Sequence, residues 1–211
     1  MLILASASPR RQELLRNAGI PFSVQAANVM EEHRPGETPE TCVRRLAREK
    51  AADVAGKLSP DDQPVVLAAD TEVVFDLKMG IPLGKPRDME DAARMLRQLS
   101  GRSHYVVTGV CLMWHGDGDW RSAEAAEVTR VAVTEITEAE IRAYVATGEP
   151  MDKAGAYAIQ GIASRWIPRI EGCYFNVVGL PVPLVYRMLL KHTPRALAEG
   201  GTDHTVRNRN G

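Results

Sequence analysis

Four separate segments of this 211-residue chain each set a cation beside small or cap-forming residues. Ser6-Ala7-Ser8-Pro9-Arg10-Arg11 joins a helix-start signature to two guanidinium groups, so unpaired backbone N–H groups, Arg10 and Arg11 can converge on phosphate oxygens. In Leu83-Gly84-Lys85-Pro86-Arg87, Gly84 admits close backbone approach, Pro86 fixes the bend, and Lys85 supplies a point charge suited to phosphate. The small residues between Asp152 and Gly161 let Lys153 and Gln160 face a ligand closely, and the Gln160 amide carries the paired donor and acceptor that read a base edge. Lys50 is the cation of the fourth segment.

Carboxylates supply the complementary chemistry. Asp70-Thr71 ends an apolar run, where a carboxylate at a sheet rim can hold a metal ion or deprotonate a water. Glu31 and Glu32 lie between a strand-like and a helical segment and could add a metal ligand. Each feature alone also fits a duller structure: a capped surface helix, a turn aspartate, a solvated bend. Taken together they describe a phosphate-binding cleft.

Several other chemistries lose support. The chain has no GxxxxGK[ST] loop and no GxGxxG turn, and no two of His33, His104, His115, His192 and His204 stand at i, i+4. Basic and acidic residues nearly cancel at 26 against 27, so no global positive field draws the protein to nucleic acid or anionic lipid, and stable nucleic-acid binding is not expected. Cys42, Cys111 and Cys173 stand far apart without zinc-ligand spacing, as in a reduced cytoplasmic chain. The apolar opening Met1–Ala5 is too short for a secretory signal, and no run approaches the roughly twenty apolar residues of a membrane span.

The elements that must position these groups follow from punctuation and period. Leu2–Ala5 predicts a buried strand, followed by a helix capped at Ser8 with Pro9 at its first position and closed by Gly19. Phe22–Ala26 reads as a second strand. Thr38-Pro39 opens a long amphipathic helix with Val43, Leu46, Ala47, Ala51, Val54 and Leu58 inward. Pro64–Ala69 predicts a strand continuing through Phe75, a turn near Lys78-Met79-Gly80, and a return strand through Ile81–Leu83. Asp88 caps a further helix. Runs 105–114 and 127–134 form an antiparallel hairpin through His115–Gly118, Thr137 and Glu140 make a capping box, residues 152–170 read as loop plus strands, and Leu184–Leu189 define a final helix. The expected fold is α/β, a mixed, strongly twisted sheet flanked by helices, with two lobes around a central cleft; residues 1–193 form one domain and 194–211 a flexible polar tail.

In series, LASASPRRQELL (4–15), LAREKA (46–51), AADTEVV (68–74), LGKPRD (83–88), LSGRSHYVVTGV (99–110), DKAGAYAIQG (152–161) and VVGLPVPLV (177–185) resemble the Maf family of nucleotide pyrophosphatases from Leu2 to about Leu190. The resemblance implies an ITPase-like α/β fold, hydrolysis between the α and β phosphates of a nucleoside triphosphate, and a divalent metal ion (Mg or Mn). It places the general base on Asp70, metal ligands on Glu32 and Asp70, and substrate contacts on Ser8, Arg10, Arg11, Lys50, Thr71, Lys85, Lys153 and Gln160. Arg10, Thr71 and Gln160 match the pattern of the branch acting on dTTP and UTP, and Gln160 lacks the carboxylate with which the 7-methyl-GTP branch pairs its cationic purine. A homodimer is also implied, and the family's link with septum formation keeps a nucleotide-binding regulator as the rival reading. Glu72 stands where the family more usually has an apolar residue; it is expected to point away from the Asp70 face as a bystander.

Overall fold

A computed structural model describes residues 1–78 and 80–198, so the sequence expectations for Met79 and for most of the polar tail lie outside the described residues. The chain runs β1 (Leu2–Leu4), α1 (Pro9–Asn17), β2 (Ser23–Val24), α2 (Pro39–Ala55), β3 (Val65–Val74), α3 (Met89–Leu99), β4 (Ser103–Gly116), β5 (Asp119–Ala132), α4 (Glu138–Val145), β6 (Arg169–Glu171), α5 (Tyr174–Val178), α6 (Val182–His192) and α7 (Arg195–Ala198). The strands form one mixed sheet in the order β2-β1-β3-β4-β5-β6, parallel from β2 to β3 and antiparallel from β3 to β6.

The period of two along β3 decides what each helix sees. Val65, Leu67, Ala69 and Val73 face the main core, where α1, α3, α4 and α6 contribute Leu14, Leu15, Leu96, Ile141 and Leu189. Val66 and Ala68 face the other way onto Ala47, Ala51 and Val54 of α2, and Val74 packs on Val43. Asp70 and Glu72 belong to this second set, and both side chains meet α2 or the loop before it. The expectation that Glu72 would turn away from the Asp70 face is therefore wrong: residues two apart on a strand share a face, and it is Thr71 that points to the opposite side.

That arrangement creates the cleft. β1 pairs with β2 and β3 on its two sides, while α1 packs on one face of the sheet and α2 on the other. The carboxyl end of β1 is thus a topological switch point, where chains diverge to opposite faces and leave a crevice. β1 also ends early. Its last ladder partner is Leu67, and β3 continues through Val74 beyond it, so Asp70 and Thr71 border an open notch into which the α1 start points.

The helix starts match their signatures. The Thr38 and Asp88 side chains accept from Thr41 N at 3.2 Å and Asp91 N at 2.8 Å, and the Thr137–Glu140 capping box is complete. Gly19 closes α1 at φ 66°, a left-handed position that favours glycine.

Elsewhere the elements differ from expectation. No return strand forms over 81–83; Pro82 has no N–H to give a ladder, and the contact reduces to Leu83 N donating to Val73 O at 2.7 Å. The β4–β5 hairpin is longer than predicted, turning on Asp117 (φ 53°) and Gly118 (φ 86°), because Asp119–Ala126 pairs with β4 despite its polar and alanine-rich sequence. Residues 149–166 fold into short 3-10 turns, and the only strand in the predicted 152–170 stretch is the start of β6.

Candidate active site

The notch at the end of β1 opens into a cleft of about 440 Å³, within the roughly 300–1,000 Å³ of small-molecule sites. Its walls come from the β1–α1 turn (Ser6–Arg11), the segment before α2 (Glu31), α2 itself (Lys50), β3 (Asp70, Thr71), the 83–88 loop (Lys85), the 152–160 stretch and the end of α5.

At its floor Lys50 Nζ donates to Asp70 Oδ1 at 2.5 Å and to Glu31 Oε1. Lys50 and Asp70 are both buried, so one ammonium screens two carboxylates from each other in a poorly solvated place. Burial alone would raise the Glu31 carboxyl; the hydrogen bond and charge of Lys50, with Lys85 and Arg11 behind it, outweigh that and hold it below its ordinary value. Among the described residues Asp70 Oδ2 makes no hydrogen bond.

Gly109 makes this floor possible. It pairs with Asp70 across the β3–β4 ladder, and a Cβ there would lie 2.3 Å from Val43 O on α2. Without a side chain at that point the α2 backbone settles onto the sheet and brings Lys50 within reach of Asp70. The sequence carried the glycine, but only the strand register reveals what it opposes.

Arg11 is an anchor. Its Nε donates to Gly179 O, its Nη1 to Ala69 O and Ser6 Oγ, and its Nη2 to Thr71 Oγ1, using four of the five guanidinium N–H groups. The side chain ties the β1–α1 turn, β3 and the α5 end together. Burial lowers its pKa, partly offset by the charges of Asp70 and Glu31.

The other expected residues are placed as follows. Ser8 is the α1 N-cap, but its side chain makes no capping bond, and the helix start lines the cleft with Ser8, Pro9 and Arg10. Arg10 Nη1 reaches Asp152 Oδ2 at 3.2 Å. Lys153 Nζ donates to Glu149 O at 2.7 Å and Asp152 Oδ1 at 2.5 Å, holding Asp152 below its usual pKa. Lys85 and Gln160 are exposed at the rim, and Thr71 Oγ1 shares a 2.9 Å hydrogen bond with Thr108 Oγ1.

The two acidic residues before α2 are placed differently. Glu31 lines the cleft and meets Lys50, whereas Glu32 has an exposed side chain, lies outside the lining, and gives its carbonyl to Arg45 Nη2 at 2.8 Å. Adjacent residues on an extended segment point to opposite sides, and only the fold shows which one turns inward. Gly155, one of the small residues of the 152–161 segment, has a structural part of its own. Its left-handed backbone (φ 71°) donates to Leu83 O at 2.9 Å and sits on Val73, docking the Lys153 segment onto the Lys85 loop.

An α/β sheet with a cleft of cations, carboxylates and an open helix start at its switch point is the class of protein that fold and geometry define. The chain belongs to the Maf family: the Maf-like protein family pattern matches residues 1–192. It is 56% identical over 188 residues to a dTTP/UTP pyrophosphatase of Koribacter versatilis, covering 89% of this chain and 92% of that protein. It is 50% identical over 189 residues to a protein of the same name from Syntrophomonas wolfei, covering 89% and 95%, and 47% identical over 208 residues to another from Anaeromyxobacter sp. Fw109-5, covering 95% and 97%. A Mycobacterium abscessus structure of a nucleoside-triphosphatase / dITP/XTP pyrophosphatase overlaps at a TM-score of 0.43 and 17% identity, covering 92% of this chain and 95% of that one.

Proposed function

We propose that this protein is a nucleoside triphosphate pyrophosphatase that hydrolyses dTTP and UTP to the nucleoside monophosphate and pyrophosphate. The observation that carries the reading is the meeting of Asp70, Lys50 and Glu31, from three distant segments, at the floor of a cleft walled by a helix start and further cations. Relatives at 47–56% identity that bear the name dTTP/UTP pyrophosphatase support the substrate class.

The triphosphate lies against the first turn of α1, where unpaired N–H groups and the helix dipole favour anionic oxygens, and Lys85 and Lys153 offset charge further out. Asp70 accepts a proton at Oδ2 from the water that attacks the α-phosphorus. The new P–O bond forms as the bridge to the β-phosphate breaks, and pyrophosphate leaves with the electron pair. Lys50 fixes the orientation of Asp70, and Arg11 keeps Thr71 and the α1 start in register with it. The Asp70 and Glu31 carboxylates form an all-oxygen donor set in contact with a cation already, which fits a hard divalent ion such as Mg or Mn. Such an ion, held by Asp70 and Glu31, would stabilise negative charge on the phosphoryl oxygens. Gln160 at the rim reads the base edge, with Arg10 and Thr71 shaping the neighbouring wall.

Incubation with magnesium and a panel of dTTP, UTP, 7-methyl-GTP and GTP tests this reading. Monophosphate plus pyrophosphate, fastest from dTTP and UTP, is the expected result; diphosphate plus phosphate would overturn the bond assignment, and a preference for 7-methyl-GTP the substrate assignment. The proposal includes a cytoplasmic location, in keeping with three free thiols, and a homodimer, checked by light scattering. No helix among the described residues is long and apolar enough to cross a membrane.

A further inference from the structure

On the α2 side of β3, outside the cleft lining, a second group of side chains converges. His33 from the loop before α2, Cys42 from the first turns of α2 and Glu72 from β3 bring one ligand atom each within 4.8 Å of one another. His33 Nε2 lies 2.6 Å from Glu72 Oε1. Glu72 is only 7% exposed, and its second oxygen, Oε2, is buried without a hydrogen-bond partner. A half-satisfied carboxylate in such a place is costly unless something else occupies its lone pairs.

We propose that His33, Cys42 and Glu72 form a binding site for a borderline-soft divalent cation of the Zn²⁺ type, distinct from the hard-ion site of the cleft. Imidazole, thiolate and carboxylate are the donors such an ion selects, and three protein ligands leave a fourth position for water. Tetrahedral coordination sets ligand atoms about 3.3–3.8 Å apart, so the cluster needs small side-chain movements and no refolding. The ion takes the place of the hydrogen between His33 Nε2 and Glu72, the imidazole keeping its one N–H on Nδ1, and displaces the Cys42 thiol proton to solvent. One thiolate and one carboxylate then balance its double charge. Burial and the neighbouring Glu72 push the Cys42 thiol up, so the thiolate depends on the ion; Arg45 Nη2, 3.6 Å from Cys42 Sγ, would then serve as its outer-shell donor. Cys42 is fully buried, and the ion enters past the His33 side chain, which is 34% exposed. Occupancy would clip the loop bearing His33 to the sheet, and that loop also carries Glu31 of the cleft.

The experiment is a Co²⁺ titration of the reduced, chelator-stripped full chain, read by absorbance and followed by Zn²⁺ competition. The expected result is a tetrahedral cobalt spectrum with a thiolate-to-cobalt charge-transfer band that saturates at one ion per chain and is displaced by Zn²⁺. Cys42→Ser should abolish the charge-transfer band, His33→Ala should weaken affinity by about tenfold or more, and Asp70→Asn should keep the band. Because His33 lies at the surface, its variant decides the matter even if Cys42→Ser folds poorly. Absence of a thiolate band with Co²⁺ in large excess, or unchanged binding in folded His33→Ala, would overturn the site.

Discussion

Lys50 stands between two carboxylates that would otherwise face each other across the cleft floor, and its loss has two separable consequences. Lys50→Met leaves Asp70 buried and unpaired, which should lower stability by about 3–5 kcal/mol in urea denaturation. Adding Asp70→Asn removes the stranded charge, so the double variant should recover part of that stability while remaining inactive. Activity in the double variant would contradict both the general-base role of Asp70 and the orienting role of Lys50. Glu31 and Glu32 provide a sharper contrast. Glu31→Gln should weaken metal-dependent turnover by about tenfold or more, and Glu32→Gln should leave steady-state kinetics close to wild type. At this scale the sequence was informative about type and less so about direction. Asp70 and Lys153 could be marked as candidates by residue type and Lys50 only as one cation among several, while which of Glu31 and Glu32 faces the cleft depended on which way an extended loop turns. Arg11 could be marked as a cation, yet its hydrogen bonds to Gly179, Ala69, Ser6 and Thr71 come from tertiary approach that no local pattern encodes.

The site depends on how close α2 lies to the sheet, and Gly109 sets that distance. Gly109→Ala should push α2 outward, since its Cβ would fall 2.3 Å from Val43 O, a backbone atom with little room to move. Overpacking of this kind should cost about 1–3 kcal/mol by chemical denaturation and reduce turnover through the displaced Lys50. Wild-type stability and activity in that variant would show that α2 does not need the gap. Helix starts were legible because caps are local chemistry: Thr38, Asp88 and Thr137 each announce themselves within four residues. Strand extents were not. Asp119–Ala126 is held by its ladder to β4, and the 3-10 turns over 149–166 follow from left-handed backbone at Gly148, Gly155 and Ala156. The five-residue α5, whose Asn176 side chain donates to Val106 O and Glu127 O, is too short to show a period.

Across the whole molecule, sensitivity to acid should trace in large part to one buried imidazole. His104 is fully buried, with Nε2 bonded to Tyr157 OH at 2.8 Å, and desolvation pulls its pKa from 6.5 down to about 4. Below pH 6.5 the unfolded chain takes up a proton that the folded chain refuses, so stability falls as pH drops and the loss is complete near pH 4. The effect is on the order of 3 kcal/mol. His104→Gln, which keeps a polar partner for Tyr157, should flatten unfolding free energy against pH over that interval by a similar amount; an unchanged profile would assign the acid sensitivity to other groups. The mixed α/β architecture was legible from helix caps interleaved with hairpin signals, whereas the switch point at the end of β1 required strand order, which composition and period do not give. That switch point gathers the cleft, and the chemistry proposed for it rests on one carboxylate, Asp70. Single-turnover hydrolysis of UTP by folded Asp70→Asn, compared with wild type at saturating magnesium, is the most direct test. A fall in rate on the order of a hundredfold or more, with nucleotide affinity little changed, is the predicted result; a rate near that of wild type would contradict it.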